Sequence, residues 1–264
     1  MRIPFHQIDA FADRPFAGNP AAVMILDAPL DDATCQSIAA ENNIAETAFL
    51  LARTDGVADY DLRWFTPTVE VALCGHATLA SGHWALMRDR SRSAVTFATR
   101  KAGVLTVARD GAALRLDLPA WGAAPGDRRP DIEAALGVSP VATLWRDNGY
   151  SVLVLENEEA VRALTPDFAA LRAIPDTLVI ATAPGSKTDV VSRVFAASAG
   201  IDEDPVTGSA HCVIAGYWAN RLGRNSFTAY QASARGGHVA CRLDGDRVIL
   251  GGTCVEVIEG VFIL

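Results

Sequence analysis

At 264 residues the chain is long enough for one large domain or two ordinary ones. Half the residues are apolar and a fifth are charged, which suits a globular protein with a substantial core. The formal net charge is -8 and no run of Lys and Arg occurs, which argues against nucleic acid or an anionic membrane surface as partner.

Short apolar runs suggest strands at Phe5–Phe11 and Ala21–Leu26. Asp31 can cap a helix over Asp32–Asn43, where Cys35, Ile38, Ala39 and Asn42 recur at helical spacing. Strands are expected at Thr47–Leu51 and Tyr60–Thr66, then a helix over Gly75–Met87 that is apolar on nearly every side. Three more strands follow at Ala94–Ala98, Val104–Ala108 and Ala112–Leu118. Asp110-Gly111 marks a tight hairpin between the last two, because glycine tolerates positive φ. The stretch PAWGAAPGDRRP, Pro119–Pro130, reads as a linker. Beyond it, helices are expected at Ile132–Leu136, Glu158–Leu164 and Phe168–Ala173, and strands at Ser151–Leu155, Leu178–Ala183 and Val190–Ala196. A second all-round apolar helix covers Gly208–Leu222. The chain ends on strands at Val239–Leu243, Arg247–Leu250 and Cys254–Ile258, with Asp244-Gly245 as a further hairpin signal.

An internal repeat divides this order. Arg63-x-Phe65 matches Arg193-x-Phe195, and Glu70 precedes Gly75 by the same interval as Glu203 precedes Gly208. Gly75-His76-Ala77 then matches Gly208-Ser209-Ala210. The expected fold is α+β, with two pseudo-symmetric halves, 1–118 and 119–264. Each is a curved mixed or antiparallel sheet around one buried helix.

The five cysteines are widely spaced with no CxxC pair, which points to a reduced, cytoplasmic protein and not a disulfide or zinc scaffold. Asp9 and Asp13 interrupt the region where a signal peptide needs an apolar core, and no apolar run reaches membrane-spanning length. No P-loop and no GxGxxG turn occurs, so no nucleotide cofactor is expected.

The chemistry concentrates at the two buried-helix starts, where unpaired backbone N–H groups favour carboxylates or developing oxyanions. Gly75 and Gly208 would let a ligand approach the backbone. One start carries Cys74 and His76, the other Asp204, Thr207 and Ser209. Each has a blander reading. Asp204, Thr207 and Ser209 are ordinary capping residues, His76 could be a satisfied core histidine, and Cys74 could be a small buried hydrophobe. Glu46 sits among Ile44, Ala45, Ala48 and Phe49, a setting that raises a carboxyl's proton affinity if it is buried; otherwise it is an exposed strand-edge residue. Asn19 reads most simply as a turn residue. No HxH, HExxH or Cys/His cluster appears in the sequence, so no metal is expected.

Four stretches together, IDAFADRPFAGNPAAVMIL, IAAENNIAETAFL, RWFTPTVEVALCGHATLA and GIDEDPVTGSAH, resemble the phenazine-biosynthesis PhzF-like family, which shares the diaminopimelate epimerase fold. The resemblance implies two similar halves, each with a central helix, and a site between them. The final strand could return to the first half, as in related proteins. It implies Glu46, His76, Asp204 and Ser209 as catalytic residues; Asn19, Gly75, Thr207 and Gly208 are expected to bind substrate. Related epimerases use two cysteines. Cys74 matches the first, but Asp204 stands where the second would be, so a two-cysteine mechanism is not expected. The implied activity is a cofactor-independent isomerase that moves a proton within a small carboxylate, in a homodimer. Rival readings are a non-catalytic small-molecule binder on the same fold, a Cys74–His76 hydrolase, and a zinc enzyme.

Overall fold

The computed structural model describes residues 1–147 and 149–264, and its chain divides into two units. One unit comprises Met1–Leu118 and Gly251–Leu264, the other Pro119–Leu250.

In the first unit the elements run β1 (Arg2–Ala10), β2 (Asn19–Leu26), α1 (Asp32–Asn42), β3 (Glu46–Ala52), β4 (Tyr60–Phe65), β5 (Glu70–Val71), α2 (Gly75–Arg88), β6 (Ala94–Thr99), β7 (Val104–Asp110) and β8 (Ala113–Pro119). β1 pairs antiparallel with β2 on one side and with the C-terminal strand, Cys254–Ile263, on the other. β2–β3 and β4–β6 are parallel; β3–β4, β6–β7 and β7–β8 are antiparallel. The β7–β8 hairpin turns at Gly111, with φ at 62°, as the Asp-Gly signal requires.

α2 buries every residue from Gly75 to Leu86 except His83. It touches β1, β2, β3, β6 and β7. One straight helix reaches strands so far apart in a ladder only if the sheet curls round it. Gly82 marks the tightest approach: a Cβ there would lie 2.4 Å from Val107 Cγ1 and 2.5 Å from Val107 Cβ. α1 is capped by Asp31, whose carboxylate accepts from Thr34 N at 2.9 Å. It packs Cys35, Ile38 and Ala39 on Met24, Phe49 and Phe65.

In the second unit the order is β9 (Ala124–Pro125), α3 (Pro130–Leu136), β10 (Ala142–Arg146), β11 (Tyr150–Val154), α4 (Glu158–Arg162), α5 (Phe168–Arg172), β12 (Leu178–Pro184), β13 (Val190–Ala196), β14 (Ile201–Asp204), α6 (Gly208–Leu222), β15 (Ser226–Gln231), β16 (Gly237–Asp244) and β17 (Arg247–Gly252). The pairing scheme duplicates the first unit. β10–β11 is antiparallel, β11–β12 parallel, β12–β13 antiparallel, β13–β15 parallel and β15–β16 antiparallel. α6 packs on β11 and β16, and Trp218 Nε1 donates to Thr182 Oγ1 at 3.1 Å.

The matched residues of the sequence repeat are a structural clamp present in both units. Arg63 donates to both carboxylate oxygens of Glu70, at 2.8 and 3.0 Å, and Arg193 does the same to Glu203 at 2.7 and 2.9 Å. Each guanidinium also stacks over the phenylalanine two residues on, Phe65 at 4.8 Å and Phe195 at 5.2 Å. The clamp ties a core strand to the short acidic strand just before the buried helix.

Strands β10, β14 and β15 were not expected from the sequence pattern. The acidic run Ile201–Asp204 is extended because it pairs with β13, a tertiary cause that propensity does not register. Among the described residues, no helix is long and apolar enough to cross a membrane.

Candidate active site

Neighbouring strands and one helix start assemble a polar group in the first unit. Asn19 opens β2 and Glu46 opens β3, and the parallel register places Ala21 opposite Glu46. The turn into β2 needs glycine at 18, where φ is +66° and a Cβ would meet the Ala10 carbonyl at 2.2 Å. His76 is the second residue of α2, and Cys74 is its N-cap in extended conformation with no side-chain capping bond.

His76 Nε2 lies 3.0 Å from Glu46 Oε2, an ion-pair contact whose approach is off-line for a good hydrogen bond. Its Nδ1 is 3.2 Å from Asn19 Nδ2 and 3.5 Å from Cys74 Sγ. The His76 and Glu46 side chains are only 5% and 14% exposed, so the pair sits largely out of water. Burial disfavours the charged imidazole, but its interactions with Cys74 and Glu46 outweigh that. His76 therefore binds its proton well above the ordinary histidine range. Burial, then the Glu46 charge, pushes the Cys74 thiol upward.

In the second unit the segment before α6 is held from β15. Gln231 accepts from Thr207 N at 2.8 Å and donates to the Asp204 carbonyl at 2.7 Å and to Thr207 Oγ1 at 3.1 Å. Thr207 Oγ1 in turn donates to the Asp204 carboxylate. Ser209, in the first turn of α6, lies near the phenol of Tyr150, whose proton affinity burial raises. His211 donates its Nδ1 proton to the Thr207 carbonyl at 2.8 Å, and burial disfavours its charged form.

Two groups of the expected residues thus assemble: Asn19, Glu46, Cys74, Gly75 and His76 in one unit, and Asp204, Thr207, Gly208 and Ser209 in the other. Several bland readings are corrected. Glu46 is not an exposed edge residue, because β3 is paired on both sides and the carboxylate is covered. Asn19 is a fully buried strand residue bracing His76, not a turn residue. Thr207, the N-cap of α6, makes no side-chain capping bond; its hydroxyl faces Asp204. No Cys/His cluster motif stands out in the sequence, but a cluster forms in space. Ligand atoms of Glu46, Cys74 and His76 all lie within 4.8 Å of one another. Gln231 and Tyr150 escaped the sequence reading, since a glutamine or tyrosine in a strand carries no motif.

Duplicated units, each a mixed sheet around a buried helix with a polar group at its start, define an α+β protein of the diaminopimelate epimerase-like fold. A hydroxyproline epimerase of Agrobacterium vitis has this fold: it superposes with a TM-score of 0.65 over 98% of this chain and 92% of its own, at 12% identity. The model of the PhzC-PhzF family, phenazine biosynthesis-like protein, matches residues 8–260, and the chain belongs to that family. An uncharacterised isomerase of Pseudomonas aeruginosa is 50% identical over 261 residues, 98% of each chain. The crystal structure of a PhzF-family protein from Enterococcus faecalis is 40% identical and superposes with a TM-score of 0.92 over 100% of both chains.

Proposed function

We propose that the protein is an isomerase that moves a proton between two carbons of a small carboxylate-bearing substrate, with no cofactor. The observation that carries this reading is the largely buried Glu46–His76 contact at 3.0 Å, set at a helix start whose N-cap makes no side-chain capping bond. The names of the relatives as isomerases agree with it.

The substrate carboxylate takes up the backbone N–H groups near Gly75, where the helix dipole stabilises the charge that builds as the adjacent C–H ionises. Glu46 accepts that proton and returns it to a second carbon of the same molecule, so the reaction is balanced without an external acid or oxidant. His76 holds the Glu46 carboxylate in place and faces the developing charge. Asn19 braces the His76 ring at Nδ1. Asp204, Thr207, Gly208 and Ser209 are assigned substrate contacts on the family resemblance, with Asp204 and Ser209 assisting proton movement. A homodimer in a reducing, cytoplasmic setting completes the reading.

The test is solvent-deuterium incorporation into a panel of small amino and hydroxy acids, followed by NMR. The native protein exchanges a C–H beside the carboxylate. Glu46→Gln keeps the shape, removes the base, and slows exchange by about 100- to 10,000-fold. Exchange at the native rate in Glu46→Gln excludes Glu46 as the base.

A further inference from the structure

We propose that Cys74, His76 and Glu46 form a three-ligand site for a thiophilic divalent cation of the zinc class, and that filling it arrests proton transfer. The metal-binding half stands on geometry alone; the inhibitory half rests on the reading of Glu46 as the base.

The three residues offer a thiol sulfur, an imidazole nitrogen and a carboxylate oxygen, the donor types that zinc takes. Zinc sits about 2.0–2.2 Å from nitrogen and oxygen and about 2.3 Å from sulfur, so two ligands of a tetrahedral centre lie about 3.3–3.7 Å apart. Here Glu46 Oε2 to His76 Nε2 is 3.0 Å and Cys74 Sγ to His76 Nε2 is 4.0 Å. The whole set falls within 4.8 Å. Side-chain rotations of about an ångström bring all three onto one ion. The Asn19 side-chain amide lies 3.2 Å from the ring's other nitrogen through its Nδ2; turned over, its oxygen would accept from Nδ1–H, as outer-shell partners of metal-bound histidines do.

Charge and softness favour the same class. On binding, Cys74 releases its thiol proton to solvent, and any proton on Glu46 or His76 leaves with it. Thiolate and carboxylate then neutralise the 2+ ion in a site that admits little water. A thiolate in the set selects zinc, cobalt or cadmium over magnesium and calcium. Three protein ligands leave a fourth position for water or a substrate carboxylate. With the ion in place, the lone pair of His76 Nε2 is taken and the charge of Glu46 is drawn onto the cation, so the carboxylate is a much weaker base and the ion inhibits instead of assisting.

The experiment titrates cobalt(II) chloride into the metal-free 264-residue chain. A thiolate-to-cobalt charge-transfer band, saturating at one ion per chain and bleached by zinc, is the expected result. Cys74→Ser abolishes the band, and Glu46→Gln lowers the apparent cobalt affinity by about tenfold or more. No band, or a band that persists in Cys74→Ser, overturns the site. X-ray absorption of the zinc-loaded native protein needs no variant: one sulfur with nitrogen and oxygen neighbours supports the site, and a shell without sulfur overturns it. The deuterium-exchange assay separates the two readings. A cobalt band in a protein that exchanges nothing leaves the metal site standing and removes the isomerase. Exchange that survives stoichiometric zinc overturns the inhibitory half.

Discussion

Replacing Gly82 with alanine tests whether the seating of α2 on the sheet sets the candidate site. A glycine-to-alanine change inside a helix gains about 1 kcal/mol of intrinsic propensity. Here the new Cβ would meet three Val107 carbons at 2.4, 2.5 and 2.8 Å, where carbon atoms prefer about 3.5–4.0 Å. Val107 is fully buried on β7, flanked in register by Val95 and Leu116, so it cannot swing aside. Overpacking of this kind costs about 1–3 kcal/mol and occasionally more. A gap of more than an ångström over three atoms belongs at the upper end, so the net expectation is a loss of about 2 kcal/mol. The helix must shift away from β7. That shift moves His76 off Glu46 and lowers solvent exchange as well as stability. Urea unfolding of the full chain measures the first effect and deuterium incorporation the second. Val107→Ala in the Gly82→Ala background should cost at least about 0.5 kcal/mol less than in the native protein, because it removes two of the three clashing carbons. A neutral or stabilising Gly82→Ala, or strict additivity of the two changes, refutes the reasoning.

The Arg193–Glu203 clamp has side chains only 12% and 18% exposed. Arg193→Met should therefore destabilise the protein by about 2–3 kcal/mol, since it strands a covered carboxylate; adding Glu203→Gln should restore part of that loss in a double-mutant cycle. Gln231→Leu leaves the buried Thr207 N–H without its acceptor and should cost about 1–3 kcal/mol in denaturant unfolding, with a parallel loss of exchange activity. Glu158 accepts from Ser186 Oγ and N and from Arg162, which lowers its pKa to about 2. A lowered carboxyl pKa stabilises the fold fully above the unfolded value near 4.3, and this is lost as pH falls through the folded value. The difference in melting temperature between the native protein and Glu158→Gln should therefore shrink between about pH 4.3 and pH 2. A constant difference across that window refutes the assignment.

Much of the fold was legible because its signals are local. The largely apolar runs Gly75–Met87 and Gly208–Leu222 fit central helices, and α2 and α6 are so buried. Asp31 announced the start of α1, and Asp110-Gly111 the hairpin after β7. The spacing of Arg63, Glu70, Arg193 and Glu203 announced a duplication, though only coordinates show that the repeated residues are a clamp. Ile201–Asp204 and Ser226–Gln231 were missed as strands because their extended form is imposed by β13, to which both pair.

The candidate site divides in the same way. Helix starts with glycine, histidine, threonine and serine can be read from order alone, because capping chemistry acts over three or four residues. Whether Glu46 is covered, and what it touches, cannot be read so. That depends on β2 and β3 lying parallel and side by side, and on α2 returning to them from thirty residues further along the chain. The pairing of Glu46 with His76, the bracing of His76 by Asn19, and the grip of Gln231 on Thr207 are all long-range contacts. Sequence by itself determined which residue types were available and most of the segments that would be helix or strand. Tertiary structure alone decided which of those groups meet out of water, because proximity and desolvation, which set their chemistry, are properties of the packed chain.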